Sequence, residues 1–374
     1  MVLTLAVGAD IRDADALGSA VRGHGPAPRI DLEESQVFWD GRRVLVTGGA
    51  SFIGSHLTEA LVKRGAAVRV IDNLSTGRLE YLDECIRGGT VEFMQADLLN
   101  ASAVDEAVRG VDTVFHLAAD HGGRGYVDLH QAACASNLTL DGILFLACKN
   151  AGAEKIVYAS SGCVYPNLLQ QDPRELLYLT EDMVGPPYDA DNMYGWAKLM
   201  GELTLRAYAR DWGLKSASCR YFTVYGERGK EDHAVIAMIA RAFVRQEPFE
   251  VWGTGEQIRN WTYVGDIVEG TILAGEKIDD GTAINLGTME RTRVIDAARE
   301  VLRYTEHPAE IRLRPDMPTG PINRVADNSL AKRLLDWEPK MKFMDGLHRT
   351  IDWYFATKDR SEVKERLPLA LVER

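Results

Sequence analysis

The stretch VLVTGGASFIGSHL, residues 44–57, has the form of a glycine-rich dinucleotide-binding turn. A β-branched run ends at Gly48 and apolar residues at helical spacing follow, which is the setting that such a turn requires. Ser51 stands where a middle glycine would let the backbone approach pyrophosphate, although its hydroxyl can itself donate to phosphate. Because N–H groups and the dipole at a helix start hold phosphate, the turn predicts a nucleotide site. Its predicted contacts are Gly48, Ser51, Phe52, Ile53 and Gly54.

Outward from this turn, strand patterns alternate with helical patterns over most of the chain. Six apolar runs are typical of strands, and patterns such as GSHLTEALVKRG between them are typical of helices. The six runs are RVLVTG, AVRVID, TVEFMQAD, DTVFHLAA, KIVYASS and SASCRYF. Strands joined by helices form right-handed βαβ units. We therefore expect an α/β protein, with a Rossmann-type doubly wound parallel sheet and a smaller C-terminal substrate-binding domain.

The ends of the predicted strands indicate which cofactor the turn would hold. Asp72 ends the second strand, 24 residues after Gly48, where a carboxylate accepts hydrogen bonds from ribose hydroxyls and repels a 2′-phosphate. This selects NAD over NADP, although Asp72 also fits an ordinary turn residue. Asp97, at the end of the third strand, fits an adenine contact, and small apolar residues ending the fourth strand suit a chain that passes under a dinucleotide. The further predicted cofactor contacts are Asn73, Asp97, Leu98, Leu117, Ala118, Ala119, Tyr194, Lys198 and Tyr221.

The segment YGWAK, residues 194–198, supplies a candidate chemical site. Tyr194 and Lys198 fall on one face of a helix, and an ammonium beside a phenol is expected to lower the pKa of the phenol toward neutrality. The pattern is common by chance, but here it follows a strand that ends in Ser160 and Ser161. A serine hydroxyl at that strand end can bind the oxygen whose proton the tyrosine takes.

The composition and the order of patterns divide the chain into three parts. Residues 1–40 lack periodicity and contain GHGPAP, so we expect an N-terminal extension there. Residues 41–225 are predicted to form mainly the NAD-binding Rossmann domain. Residues 226–374 are predicted to form mainly the substrate-binding part, with the segment 255–290 returning to the Rossmann side.

Bulk properties exclude several classes of function. The 374 residues carry a formal net charge of −12, which argues against a nucleic-acid surface. Five scattered cysteines without a CxxC spacing indicate a reducing compartment and no metal site. No apolar stretch is expected to reach the roughly 18 residues of a membrane span. The N-terminal MVLTLAVGADIRDAD has no basic region typical of a secretory signal, so we expect a cytoplasmic protein that binds no membrane.

From about residue 38 to residue 354, the sequence resembles the extended short-chain dehydrogenase/reductase family of nucleotide-sugar enzymes. The motifs that carry the resemblance are TGGASFIG, HLAA, YASSGCVYP, YGWAK, RYFTVYG, WGTGEQIRNWTYVGD and RVADNSLAKRLLDWEP. Within the family, AADHGGRG and SSGCVYP are similar to the sugar loop and the cysteine motif of the GDP-mannose 3,5-epimerase branch. The resemblance implies an NAD-dependent epimerase with a nucleoside-diphosphate sugar as substrate, and a homodimer through a four-helix contact.

The resemblance also implies roles for individual residues. Tyr194, with Lys198 and Ser161, would remove the C4-hydroxyl proton while hydride passes to NAD, and the resulting 4-ketone would acidify C3 and C5. Cys163 would then exchange protons with those carbons, and His233 falls near the family's partner lysine. The implied substrate contacts are Gly122, Gly123, Ser160, Ser161, Cys163, Thr223, Gln257, Arg259 and Arg324, where the two guanidinium groups suit the diphosphate.

Departures from the family pattern leave alternatives open. Histidine or Lys230 stands in place of the partner lysine, and Thr223 stands where the family usually has asparagine. An epimerase that inverts only C4 needs Tyr194, Ser161 and room for the keto sugar to rotate, so it remains an alternative. The acidic residues of the dehydratase and decarboxylase patterns are missing near Cys163. A non-catalytic NAD-binding protein and a net dehydrogenase remain further alternatives.

Overall fold

The computed structural model describes residues 32–172 and 174–372. Its strands are β1 (Arg43–Thr47), β2 (Ala67–Asp72), β3 (Val91–Gln95), β4 (Thr113–His116), β5 (Lys155–Ser161), β6 (Lys215–Tyr221), β7 (Val224–Tyr225), β8 (Phe249–Trp252), β9 (Ile258–Arg259), β10 (Thr262–Tyr263), β11 (Asp280–Leu286), β12 (Thr292–Arg293), β13 (Ile311–Arg314) and β14 (Asn323–Arg324). Its helices are α1 (Leu32–Trp39), α2 (Phe52–Lys63), α3 (Asp83–Arg87), α4 (Ala101–Ala107), α5 (Arg124–Leu129), α6 (Gln131–Ala135), α7 (Asn137–Ala151), α8 (Asn192–Trp212), α9 (Ala234–Phe243), α10 (Val264–Lys277), α11 (Val294–Tyr304), α12 (Ser329–Leu335), α13 (Phe343–Thr357) and α14 (Arg360–Val372).

A seven-stranded sheet in the order β11-β6-β5-β4-β1-β2-β3 forms the centre of the fold, and all its strand pairs are parallel. The order reverses between β1 and β4, as in a doubly wound sheet. The six strand patterns of the sequence form β1 to β6, so the predicted Rossmann-type sheet is confirmed. The seventh strand, β11, was not predicted, because it lies beyond the region where strands and helices alternate regularly.

Helices cover both faces of the sheet, which explains why most residues of its central strands are buried. Helices α2 and α10 contact one face, and α4, α7 and α8 lie on the other. The segment 255–290, expected to return to the Rossmann side, contributes α10 and the edge strand β11.

The start of the described chain differs from the expected extension over residues 1–40. Residues 1–31 lie outside the described part, but α1 is an ordered helix that contacts α10. Trp39 is fully buried, and its indole Nε1 donates to Glu276 Oε1 at 2.6 Å. The last part of the expected extension, α1, is therefore tied to the core through one buried tryptophan.

The C-terminal part is built from short paired strands and helices. Strand β8 pairs with β13, and β9 lies between β12 and β14 in a three-stranded sheet. Helices α9, α11 and α13 pack against one another beside these strands. Parallel strands place their following loops at one edge of a sheet, so the cleft between the two parts is where ligands bind in such folds.

One helical stretch reaches the length and apolarity that the sequence was expected to lack. Gln131–Ala151 has a mean hydropathy of 1.2 and, by length and composition, is long enough to cross a membrane, with 39% of the window buried. Core helices of soluble proteins meet the same criterion, and this stretch packs on α4 and α8.

Candidate active site

A single cleft of about 470 Å³ runs along the carboxyl ends of the central strands and beneath the C-terminal part. Every residue predicted from the sequence to bind cofactor or substrate, or to react, lines this cleft. The cleft is also lined by polar residues that had been given no role, namely Asp120, His121, Arg124, Asp232, Arg241 and Glu250. The site is therefore assembled from loops that follow six strands of the sheet, from α8, and from elements of the C-terminal part that include α9, β8, β9 and β14.

The glycine-rich turn leads from β1 into α2 and explains the serine in the motif. Gly48 has φ +68°, and a Cβ on Gly54 would lie 2.1 Å from the carbonyl oxygen of Gly48, so both positions need glycine. Ser51 has φ −86°, an extended conformation open to any residue. Its hydroxyl lies 3.4 Å from Asp72 Oδ2, to which it donates, rather than standing free for phosphate. The turn fits a dinucleotide without a third glycine.

The carboxylate of Asp72 is fixed at the end of β2. Its two oxygens accept hydrogen bonds from the backbone N–H groups of Ala50 at 3.0 Å and Leu74 at 2.8 Å. Asn73 Nδ2 donates to Asp97 Oδ2 at 3.1 Å, which joins the ends of β2 and β3. A held carboxylate at this point suits the adenosine ribose of NAD and opposes a 2′-phosphate.

The strand ends below the turn form a close-packed floor. The N–H groups of Leu117 and Ala118 both donate to Thr47 Oγ1 at 3.1 Å. A Cβ on Gly48 would lie 3.0 Å from Ala118 N, so only a small residue fits beneath the turn. Tyr221, at the end of β6, shares a hydrogen bond of 2.9 Å with the hydroxyl of Thr271. The predicted residues of the floor thus fit a chain passing under the dinucleotide.

The tyrosine–lysine pair lies on the first turns of α8, with Ser161 opposite. The Nζ of Lys198 is 5.9 Å from the ring centroid of Tyr194. Burial raises the pKa of Tyr194, the neighbouring Cys163 raises it further, and a hydrogen bond with Ser161 lowers it. The expected fall in the pKa of the phenol is therefore wrong for the chain by itself, because loss of water outweighs an ammonium at this distance.

Cys163 lies in the 3₁₀ turn that directly follows β5, and it packs against the start of α8. Its N–H donates to Ser161 Oγ at 3.1 Å, and a Cβ on Gly195 would lie 2.3 Å from the Cys163 carbonyl oxygen. Arg324 Nη1 donates to Cys163 Sγ at 3.3 Å. The thiol therefore shares the cleft with Tyr194 and has a guanidinium beside its sulfur.

Ser160 was predicted to contact substrate, but its hydroxyl is engaged elsewhere. It is buried, and its Oγ donates to Glu202 Oε1 at 2.5 Å. Arg220 binds the same carboxylate through two nitrogens, at 2.9 and 2.8 Å. Ser161 is consequently the serine whose hydroxyl is turned toward the tyrosine.

Three arginines converge beyond the cysteine. Arg324 and Arg124 both bind Asp191 Oδ2, at 3.0 and 2.7 Å. Arg259 is the register partner of Arg324 in the pairing of β9 with β14, and it donates to the carbonyl of Thr319 at 2.7 Å. Burial, followed by the charges of Arg324 and Arg124, lowers the pKa of Arg259 to about 9. Arg124 also binds Asp128 at 2.7 Å, so two carboxylates face three guanidinium groups, and this end of the cleft favours an anion.

Two histidines face each other across the cleft from the predicted sugar loop and from the start of α9. The rings of His121 and His233 are 6.3 Å apart. His121 Nδ1 lies 3.3 Å from the carbonyl oxygen of Ala119, which can only accept, so this nitrogen carries the proton. Burial, then the charges of Lys230 and His233, lowers the pKa of His121 to about 4. At neutral pH His121 is therefore an uncharged imidazole whose Nε2 can accept a hydrogen bond.

Arg241, on α9, is a buried cation in the wall of the cleft. Its side chain is 1% exposed, and within the described residues nothing accepts a hydrogen bond from its Nε or Nη2. These two nitrogens form one edge of the guanidinium group. Burial lowers the pKa of Arg241 to about 10, against the opposing effect of Glu250. Arg241 was not predicted as a site residue, although it is the single charged residue in the apolar run AVIAMIARAF.

The other missed residues had weaker signals. His121 and Arg124 lie inside the quoted segment AADHGGRG, where only the two alanines, Gly122 and Gly123 were given roles. Asp191 precedes α8 and gains its importance only through the two arginines that reach it from distant segments. Over residues 32–172 and 174–372, no three side chains of His, Cys, Asp or Glu are grouped to hold a metal ion.

A doubly wound sheet, a dinucleotide turn and a tyrosine–lysine pair at the strand ends define an enzyme that uses a nicotinamide dinucleotide. The family model described as "NAD dependent epimerase/dehydratase family" matches residues 44–287, and the chain belongs to this family. NAD is thus the cofactor, and the held carboxylate of Asp72 together with the close turn at Gly54 fits it.

The relatives include nucleotide-sugar epimerases and decarboxylases, and they act on different sugars. GDP-mannose 3,5-epimerase 1 of Oryza sativa subsp. japonica is 31% identical over 337 residues, which cover 88% of this chain and 86% of that enzyme. UDP-glucuronate 4-epimerase of Thermodesulfobacterium geofontis is 33% identical over 83% of this chain and 95% of that enzyme. The structure of UDP-glucuronic acid 4-epimerase from Bacillus cereus, in complex with UDP-glucuronic acid and NAD, has a TM-score of 0.76 and 28% identity, covering 84% of this chain and all of that chain, 100%.

Proposed function

We propose that the protein is an NAD-dependent epimerase that inverts C3 or C5 of a nucleoside-diphosphate sugar through a transient 4-keto sugar. The observation that carries this proposal is the thiol of Cys163, which lines the same cleft as Tyr194 and lies beside a guanidinium. An epimerase that acts only at C4 has no use for a proton-exchanging side chain at this point. We also infer a cytoplasmic location, where thiols stay reduced.

The oxidation half of the reaction uses the α8 pair. Tyr194 takes the proton of the C4 hydroxyl, and Ser161 holds the same oxygen. When bound, NAD supplies the acceptor for the C4 hydride and returns it at the end of the cycle. Lys198 is buried, and its positive charge stabilises the phenolate as the proton leaves.

The inversion half needs proton transfer on two faces of the ring. The 4-ketone acidifies the hydrogens at C3 and C5, so a side chain that is only a weak base can remove one of them. Cys163 is the proposed donor or acceptor on one face, and His233, with neutral His121 6.3 Å away, supplies the other. Histidine exchanges protons near neutral pH, so it can replace the lysine of the family pattern.

The arginines order the substrate along the cleft. Arg324 contacts Cys163 at one end, and its register partner Arg259 lies next along the three-stranded sheet. The diphosphate is proposed to lie on these two groups, since guanidinium edges match phosphate oxygens and an anion would favour the charged form of Arg259. Gln257, two residues before Arg259, donates to the carbonyl of Trp252 at 3.2 Å.

Arg241 is placed to read the nucleotide base, and we infer guanine. Its free edge offers two parallel N–H donors, and guanine presents two adjacent acceptors, O6 and N7. Uracil places an N–H donor beside each of its carbonyl oxygens, and adenine places an amino donor beside N7, so neither fills both positions. The relative named GDP-mannose 3,5-epimerase 1 supports the same choice.

The decisive experiment follows deuterium from solvent into GDP-hexoses and UDP-hexoses. The wild-type protein should place deuterium at C3 or C5, and Cys163→Ala should lose this uptake while still forming a 4-keto sugar. Tyr194→Phe is the control that should slow every step by roughly 10²- to 10⁴-fold. Inversion at C4 without deuterium uptake, unaffected by Cys163→Ala and His233→Ala, would establish the C4-epimerase alternative and remove the proposed chemistry.

A further inference from the structure

A buried chain of polar side chains lies under the tyrosine–lysine pair. Asp141, on α7, is 3% exposed. Its Oδ1 is 2.9 Å from His116 Nε2, and its Oδ2 accepts a hydrogen bond of 2.6 Å from the hydroxyl of Tyr158. The Nζ of Lys198 lies 4.7 Å from the ring centroid of Tyr158. The carboxylate is therefore one aromatic ring away from the lysine, although it does not line the cleft.

The hydrogen-bond pattern fixes where the protons of this chain lie. Thr47 Oγ1 already accepts two backbone N–H groups, so its own hydrogen is directed to His116 Nδ1 at 2.7 Å. His116 must then carry its proton on Nε2 and donate it to Asp141. Burial lowers the pKa of His116, which keeps its ring neutral, and burial raises the pKa of Tyr158, which keeps its hydroxyl protonated. Asp141 thus holds a negative charge between two neutral donors.

Lys198 needs this charge. The lysine is 1% exposed, and burial lowers its pKa, while Asp141 is the group that raises it. The other buried carboxylate nearby, Glu202, is held by both nitrogens of Arg220 at 2.9 and 2.8 Å. Among the residues that the structure describes, no lysine or arginine forms an ion pair with Asp141. Asp141 is therefore a buried carboxylate whose charge no lysine or arginine pairs with directly, and Lys198 is the buried cation next to it.

We propose that Asp141 is a positioning residue, whose buried carboxylate, held by His116 and Tyr158, keeps Lys198 charged beside Tyr194. An ammonium that loses its counter-charge in a water-poor site gives up its proton more readily. A neutral Lys198 could not stabilise the phenolate of Tyr194. Asp141 has this role only if Tyr194 is the proton acceptor of the proposed function.

The pH dependence has a definite sign. The charge of Asp141 raises the pKa of Lys198 and also that of Tyr194. Besides Asp141, Lys198 and Glu202, the ionisable groups that face the pair are Tyr158, His116, Cys163 and Cys134. Removing the carboxylate charge lowers both pKa values, so both limbs of the pH–rate profile for hydride transfer move to lower pH.

The test compares Asp141→Asn with Tyr158→Phe. Both variants disturb a hydrogen bond in the chain, but only the first removes the charge. We expect Asp141→Asn to move both limbs of single-turnover cofactor reduction to lower pH by about 1 pH unit. Tyr158→Phe should leave the limbs in place. A purely structural role would lower the thermal midpoint of both variants and move neither profile, which would overturn the proposal.

A second measurement needs neither substrate nor turnover. The Cε resonance of Lys198 in protein with ¹³C-labelled lysine, assigned with Lys198→Met, reports its titration in the holoenzyme. The lysine should be charged at pH 7 in the wild type and titrate at lower pH in Asp141→Asn. A neutral Lys198 at pH 7 in the wild type would overturn the proposal even if the variant fails to fold. If the proposed epimerase function is wrong, the protein will be inactive on nucleotide sugars while Lys198 still titrates as expected in the wild type and in Asp141→Asn.

Discussion

At the scale of single residues, buried positive charge dominates the cleft. Lys198, Arg241 and Arg259 each have a pKa lowered by burial. A buried cation is costly unless it is paired, so each of these side chains requires a counter-charge or an acceptor. The carboxylate of Asp141 meets this need for Lys198. For Arg241 and Arg259 a bound nucleotide is the natural partner.

Arg241 should decide the choice of base. Because a bidentate arginine–guanine pair contributes about 1–3 kcal/mol of discrimination, Arg241→Met should weaken the binding of GDP-sugars by roughly 5- to 150-fold. Binding of UDP-sugars should change less, since uracil has no two adjacent acceptors that could bind both donors of Arg241. Calorimetric titration of both nucleotides gives the two dissociation constants directly.

Arg241→Lys is the matched control for charge. It keeps the cation but has no two-donor edge, so it should also lose the preference for guanine. A preference retained by the lysine variant would mean that charge alone attracts the nucleotide. Tight binding of CDP-sugars would point to cytosine, which also offers two adjacent acceptors, and would contradict guanine.

At the scale of elements, helices α7 and α8 leave an apolar stripe uncovered. Leu138 and Leu146 on α7 are 41% and 47% exposed, and Gly142 between them has open space around it. Met200 on α8 is 45% exposed, and this helix packs beside α7. Apolar stripes on two neighbouring helices fit a four-helix contact with a second copy of the chain.

We expect the homodimer to depend on this stripe. Leu146→Glu places a charge in the contact and should shift the protein from dimer to monomer, as light scattering would measure from the molar mass. Leu313→Glu on β13, where the leucine is 43% exposed, is the matched control and should leave the dimer intact. A wild-type protein that is monomeric at micromolar concentration would contradict the expectation.

At the scale of the whole molecule, segments far apart in sequence hold the two parts together. Arg324 reaches Asp191 and Cys163 from the C-terminal part, while Trp39 reaches Glu276 on α10 from the first described helix. A Cβ on Gly275 would lie 3.2 Å from the Trp39 ring, so the indole fills a close-fitting site. The N-terminal helix is therefore part of the folded core.

Trp39→Ala should destabilise the whole molecule. Loss of a fully buried tryptophan costs about 3–5 kcal/mol, which the urea midpoint of unfolding would report. Val37→Ala on the same helix is the control, because Val37 is 78% exposed and such changes stay within about 0.5 kcal/mol. Equal effects of the two substitutions would show that α1 does not belong to the core.

The sequence by itself determined six of the seven strands of the sheet and the cofactor turn. Strand and helix periodicity are local properties, and local backbone geometry requires Gly48 and Gly54. The strands, the helices and the glycine-rich turn can therefore be predicted from the sequence. The motif resemblance located Cys163, Arg259 and Arg324, all of which line the cleft. Strand β11 and helix α1 escaped prediction because their places depend on distant partners.

Only the tertiary structure decided how these groups behave. It turned the hydroxyl of Ser160 to Glu202, raised the pKa of Tyr194 by burial, and left the edge of Arg241 without an acceptor among the described residues. It also brought Asp141, from the middle of an apolar helix, beneath Lys198. Residue type and spacing fix which groups are available, but hydration and charge neighbours come from segments separated in the chain. The degree of hydration and the neighbouring charges determine the proton affinity of each side chain, and both are set only when the chain has folded.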